Sequence, residues 1–223
     1  MHKIPFDIIG FDLDGTLLDT SEDLTVAVNH ALALAGRPAL TPEQVKPMIG
    51  GGAKLMLEHG LSASGGIPAE EFKPLYRALL RHYEDNIAVH TRLFPGGEAV
   101  LDALDAMDVK YGVVTNKFES LATKVLGELG LLERMVTVIG GDTLGKDRAK
   151  PKGDPLIELI SRCGGGRAAF IGDSIYDMTA AKAAGVPSIA CRFGFLMQPI
   201  EELGADAVID HFDDLIPALR ALV

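Results

Sequence analysis

Asp12-Leu13-Asp14-Gly15-Thr16 puts two carboxylates two positions apart, directly after the apolar run Phe6 to Phe11. A carboxylate can attack phosphorus and carry the phosphoryl group as an aspartyl-phosphate. A second carboxylate beside it can protonate the leaving oxygen and later deprotonate the hydrolytic water. Asp12 is therefore the candidate nucleophile and Asp14 the candidate acid/base. Thr115-Asn116 follows the apolar run Tyr111 to Val114, and Lys150 lies in a loop. The Thr115 hydroxyl, the Asn116 amide and the backbone N–H groups near Gly15 can hold phosphoryl oxygens, with Lys150 as a fixed cation. Asp173 follows Ala169 to Gly172, with Asp177 four positions on.

Each fragment alone is ordinary. An Asp-x-Asp-Gly segment makes turns, Ser174 with Asp177 can cap a helix, and a loop lysine is usually solvated. Together they raise an electrostatic problem, because clustered carboxylates raise one another's pKa. A hard divalent cation removes that cost, and Mg²⁺ takes oxygen ligands from one or two carboxylates plus substrate phosphate. Asp12 and Asp173 are the expected side-chain ligands, and Asp14 is expected to contribute its backbone carbonyl. Asp177 is expected behind them, holding a metal-bound water or orienting Lys150.

The elements that must position these residues follow from periodicity. Strand patterns at 6–11, 110–115, 135–139, 167–172, 187–191 and 207–209 alternate with helical patterns from residue 97 onward. That alternation predicts an α/β fold, a doubly wound parallel sheet with a Rossmann-like core. In such a sheet the strands' carboxyl ends share one edge, so Asp12 and Asp173 can meet there. Between about Asp19 and His90 only helical patterns occur, with starts at Thr20-Ser21, Thr41-Pro42, Ala53 and Pro68. The expected organisation is a core of residues 1–18 and 91–223 with a small helical cap, 19–90, inserted after the first strand.

Composition narrows the partners. The 223 residues carry 31 acidic and 21 basic side chains, a formal charge of −10. Such a surface repels nucleic acid and anionic lipid, so neither is expected as a partner. Cys163 and Cys191 are too few for a disulfide framework or a four-ligand zinc site. There is no signal-peptide pattern and no stretch of the ~20 apolar residues a membrane span requires. A cytoplasmic monomer or homodimer is expected, and because the acidic surface also repels phosphate esters, a site for a small phosphorylated metabolite must carry its own positive charge.

Asp12-Leu13-Asp14-Gly15-Thr16, Val114-Thr115-Asn116, Lys150-Pro151 and Gly172-Asp173-Ser174-Ile175-Tyr176-Asp177 resemble, in order, the four motifs of the haloacid dehalogenase-like hydrolase superfamily. Leu17 to Thr20, Ile49 to Ala53 and Leu93 to Gly96 make the chain most similar to its bacterial phosphoglycolate phosphatases. The resemblance implies Asp12 as nucleophile, Asp14 as acid/base, Thr115 and Lys150 on the phosphoryl group, and Asp12, Asp14 and Asp173 around Mg²⁺. The run Lys150-Pro151-Lys152-Gly153 departs from the alternating prolines of similar proteins. Lys146 and Lys152 then compete with Lys150 for the amine role, and Pro151 favours Lys150 by restraining its backbone.

The cap is expected to select the substrate. Gly50 to Gly52 lets backbone approach a ligand, and Lys54 is a candidate for a substrate carboxylate. Arg77 and Arg81 share a helix face; they could bind an anion, and ordinary surface salt bridging is the leading expectation. The leading reading is a Mg²⁺-dependent phosphatase, with 2-phosphoglycolate as first candidate substrate. A sugar phosphate or another small phosphometabolite is the nearest alternative substrate. A sugar phosphomutase is a rival, and a dehalogenase is disfavoured because it needs neither Mg²⁺ nor Asp14. A phospho-acceptor signalling module is the rival from another class.

Overall fold

The computed structural model describes residues 3–222. Residues 1, 2 and 223, at the ends of the expected core, and the side chain of Lys146 lie outside the described part. The chain runs through β1 (Ile8–Phe11), β2 (Leu18–Asp19), α1 (Ser21–Leu34), α2 (Pro42–Val45), α3 (Ala53–Ala63) and α4 (Ala69–Asp85). It continues through β3 (Arg92–Leu93), α5 (Gly97–Ala106), β4 (Lys110–Val114), α6 (Glu119–Glu128), β5 (Val138–Ile139) and α7 (Asp154–Arg162). β6 (Ala168–Gly172), α8 (Ile175–Ala184), β7 (Ser188–Cys191), β8 (Ala207–Ile209) and α9 (Leu215–Ala221) complete it.

Six strands form one parallel sheet in the order β5-β4-β1-β6-β7-β8. The chain winds outward from β1 in one direction, returns, and winds outward in the other. This is the doubly wound order with its switch point between β1 and β6. The central strands β1 and β6 are buried on both faces, as parallel sheets require. Alternate residues serve opposite layers. Ile8, Val114 and Phe170 pack with Leu156, Leu159 and Ala181. Ile9, Phe11, Val113 and Ile171 pack on the other face, with Leu101, Val125, Leu215 and the inserted helices. A Cβ at Gly10 would lie 2.6 Å from Leu159 Cδ2, so the missing side chain lets α7 approach the sheet.

The helical stretch folds as α1 to α4, with α1 lying along α4. Its base is a two-stranded antiparallel ribbon in which Leu18 faces Leu93 and Asp19 faces Arg92. Two-residue strands carry no readable period, so the sequence pattern contains no sign of this ribbon. The buried Asp23 of α1 accepts from the backbone N–H groups of His90 and Thr91 and from the Thr91 hydroxyl, at 2.7 to 3.1 Å. That one carboxylate fastens the returning chain to the start of the insertion. The last element differs slightly from expectation: a 3₁₀ turn at Phe212–Asp214 precedes α9.

Candidate active site

Register brings the acidic residues together. Phe11 lies beside Ile171, and the Asp12 N–H donates to the Ile171 carbonyl at 2.8 Å. Asp12 and Asp173 therefore leave adjacent strands at one edge, although 161 positions separate them in the chain. Oxygens of Asp12, Asp173 and Asp177 lie within 4.8 Å of one another, and all three residues are buried. Lys150 Nζ is 2.8 Å from Asp12 Oδ1 and 2.5 Å from Asp177 Oδ1. The amine beside Asp12 is thus that of Lys150, while Lys152 is exposed.

Two of the three carboxylates are held from behind. Asp177 Oδ2 accepts from the Asp173 and Ser174 N–H groups and from the Ser174 hydroxyl, in a capping box that starts α8. Asp173 Oδ2 accepts from the Phe195 N–H at 2.6 Å, and its Oδ1 from the Thr16 hydroxyl at 3.3 Å. Gly15 has φ +87°, and a Cβ there would lie 2.2 Å from Asp173 Oδ2. Only glycine fits between the first turn and this carboxylate.

The cluster carries more negative charge than its lysine can balance. Burial, then the charge of Asp177, push the Asp12 carboxyl from 3.8 up to about 7, against the pull of Lys150. Burial and the charges of Asp177 and Asp12 also raise Asp173 well above the carboxylate range. Burial works against the Lys150 ammonium, yet Asp12 and Asp177 hold its pKa above the ordinary value. Asp12 Oδ1 is buried and makes no aligned hydrogen bond, even though the Lys150 ammonium is within ion-pair distance. Three buried carboxylates with one short of partners fit a hard divalent cation.

The Asp14 carboxylate stands outside that trio. It is salt-bridged through both oxygens to Lys117 Nζ at 2.7 Å, and it accepts from the Thr20 hydroxyl at 2.8 Å. Lys117 is 8% exposed and sits 4.6 Å from the centre of the Tyr83 ring, contributed by α4. Burial opposes its charge, and Asp14 nevertheless holds its pKa above the usual lysine value. Burial pushes the Tyr83 phenol up to about 12. The motif reading missed Lys117. The available signal was its place two residues after Thr115, where the Lys117 N–H donates to the Thr115 hydroxyl at 3.1 Å.

Thr115 is buried beside this pair. Asn116 faces the insertion instead: its Nδ2 donates to the Gly50 carbonyl at 3.0 Å, while its Oδ1 is buried without a partner. A cavity of about 430 Å³ lies between the sheet edge and the insertion. Asp12, Asp14, Thr115, Lys117 and Lys150 line its floor, and Gly50–Gly52, Tyr76 and Tyr83 line its roof. Lys54 also borders it, but its amine is largely exposed and lies 3.5 Å from Glu58. Among the described residues, no helix is long and apolar enough to cross a membrane.

Comparison with known proteins agrees with this geometry. The family model for haloacid dehalogenase-like hydrolases matches residues 9–191. The phosphoglycolate phosphatase of Agrobacterium fabrum is 38% identical over 94% of this chain and 90% of its own. That of Caulobacter vibrioides is 38% identical over 100% of this chain and 94% of its own. The crystal structure of a predicted phosphoglycolate phosphatase from Haemophilus somnus 129pt superposes with a TM-score of 0.89 at 29% identity, covering 96% of this chain and 98% of that one. The match spans the sheet, the insertion and every acidic residue of the cluster, and the chain belongs to the haloacid dehalogenase-like hydrolase family as a phosphoric monoester hydrolase.

Proposed function

We propose that the chain hydrolyses a small phosphate monoester, 2-phosphoglycolate first, through a phosphorylated Asp12, with Mg²⁺ as cofactor. The observation that carries this reading is the meeting of Asp12, Thr115 and Lys150 on the floor of one cavity, with Asp14 at its side. Asp12 attacks phosphorus from the end of β1, where its backbone is pinned to β6. Thr115 and Lys150 hold phosphoryl oxygens, together with Asn116 and the backbone near Gly15. Asp14 takes up a proton as the substrate binds and gives it to the departing alcohol oxygen, and Lys117 holds the carboxylate left behind. That carboxylate then takes one from the water that attacks the phosphoryl group on Asp12, and inorganic phosphate leaves. Asp12 and Asp173 would hold Mg²⁺ with the Asp14 backbone carbonyl, and Asp177 would steady Lys150 and the ion's surroundings. Bound there, the ion would neutralise charge so that an anionic nucleophile can approach an anionic phosphate.

The cavity suits a small ester. 2-Phosphoglycolate is among the smallest of the candidate esters, which favours it here. The likeness to named phosphoglycolate phosphatases supports the same choice. The test is a Mg²⁺-supplemented assay across 2-phosphoglycolate, sugar phosphates, nucleotides and pyrophosphate, with rapid-quench labelling of Asp12. Highest kcat/KM on 2-phosphoglycolate, with label lost rapidly to water, is expected. Label retained and passed to a sugar would make the enzyme a mutase, and label without turnover would revive the signalling module.

A further inference from the structure

The insertion carries a second depression, of about 420 Å³, between α1 and α4. Arg77, Arg81, His30 and His82 line it, together with Asp85. Arg77 and Arg81 lie one helical turn apart on the face of α4 opposite the catalytic cavity, whose roof receives Tyr76, Leu79 and Tyr83 from the same helix. The salt bridges expected of these two arginines are not formed. Among the described residues neither guanidinium has an ion pair or a hydrogen bond, in a chain with ten more acidic than basic side chains.

The histidines complete a wall. Their rings stack 4.3 Å apart at an interplanar angle of 8°, one from α1 and one from α4. Burial, with the nearby charge of His30, holds His82 below its ordinary range, although Asp85 pulls the other way. A guanidinium presents a planar fork of donors matched to phosphoryl oxygens, and the imidazole rings add N–H donors.

We propose that this depression is a second anion site, which binds a small phosphoryl dianion through Arg77 and Arg81 against the His30–His82 pair. The dianion is either free phosphate or the phosphoryl end of a small organic molecule. The site is separate from the catalytic cavity, although one helix contributes to both.

The test uses the full chain with labelled histidines, free of divalent metal, titrated at constant ionic strength. No described histidine lines the catalytic cavity, so ring signals of His30 and His82 report on this depression alone. His30→Gln and His82→Gln assign the two signals. Inorganic phosphate should shift both saturably. In Arg77→Gln/Arg81→Gln the half-saturation concentration should rise about tenfold or more, since each lost charge-assisted contact is worth about that factor. That variant should keep the wild-type kcat. Tighter binding of phosphonoacetate than of inorganic phosphate at these rings would assign an organic phosphate, and the reverse order free phosphate. Shifts that do not saturate, that chloride reproduces, or that survive the double substitution would overturn the proposal.

Discussion

Two buried lysines line the candidate active site, and their surroundings differ in charge balance. Lys150 faces Asp12 and Asp177, with Asp173 close behind, so one ammonium meets three carboxylates. Lys117 faces Asp14 alone and shares it with a neutral hydroxyl, so that pair is balanced. The first group remains short of positive charge, and Asp12 Oδ1 makes no aligned hydrogen bond. The second is saturated and needs no ion. Under the proposed function, the unbalanced group is the one that takes up the cation and the phosphate, and the balanced pair is the one that orients the proton-transfer group Asp14.

The sharpest way to break this comparison is at Asp12. Asp12→Asn should lower kcat by about 10⁴-fold or more, because a nucleophile is lost outright. It should also leave the metal-free protein no less stable, since it removes one of the mutually repelling charges. Steady-state kinetics with urea denaturation checks both, and near-wild-type activity would remove Asp12 as nucleophile.

The next effect is on stability in chelator. Asp12 keeps its proton to about pH 7 in the folded state, against 3.8 ordinarily. Between those values the folded form binds a proton that the unfolded chain has released, so stability falls as pH rises from about 4 to about 7. The fall amounts to about 4 kcal/mol, with Asp173 acting in the same direction. Saturating Mg²⁺ should flatten it by favouring the ionised carboxylates. Denaturation midpoints across that range, with and without Mg²⁺, would show it, and stability rising with pH in chelator would contradict the unbalanced cluster.

The balanced pair should respond differently. Lys117→Met strands the buried Asp14 charge and should destabilise by about 3 kcal/mol, with little dependence on Mg²⁺. Adding Asp14→Asn should recover most of that loss, because the two residues are coupled. Purely additive losses in the double variant would mean that the pair is not the unit described. Asp14→Asn alone should slow turnover about 100-fold while leaving the stabilisation by Mg²⁺ intact. An unchanged rate would remove Asp14 as the acid/base.

Legibility in the sequence followed the range of the interactions involved. The alternation of apolar strands and amphipathic helices is local, and it located the six strands of the main sheet to within a few residues. The Asp12-to-Thr16 turn is equally local, since its glycine takes a φ of +87°, whereas the packing of Asp173 against that glycine is not. The β2–β3 ribbon was invisible because two residues cannot display a period. Lys117 was invisible as a buried residue because its partners come from afar: Asp14 is 103 positions away, and Tyr83 arrives from the insertion.

Sequence alone determined the α/β class, the helical insertion and the acidic, hydroxyl and amine groups from which phosphoryl chemistry could be built. Tertiary structure alone decided which lysine faces which aspartate, gave Asp177 the third place beside Asp12 and Asp173, and roofed the cavity with Tyr76 and Tyr83. The physical reason is range. Backbone preferences and apolar periods are written in neighbouring residues, whereas the energy of a buried charge depends on every group that packing brings within a few ångströms.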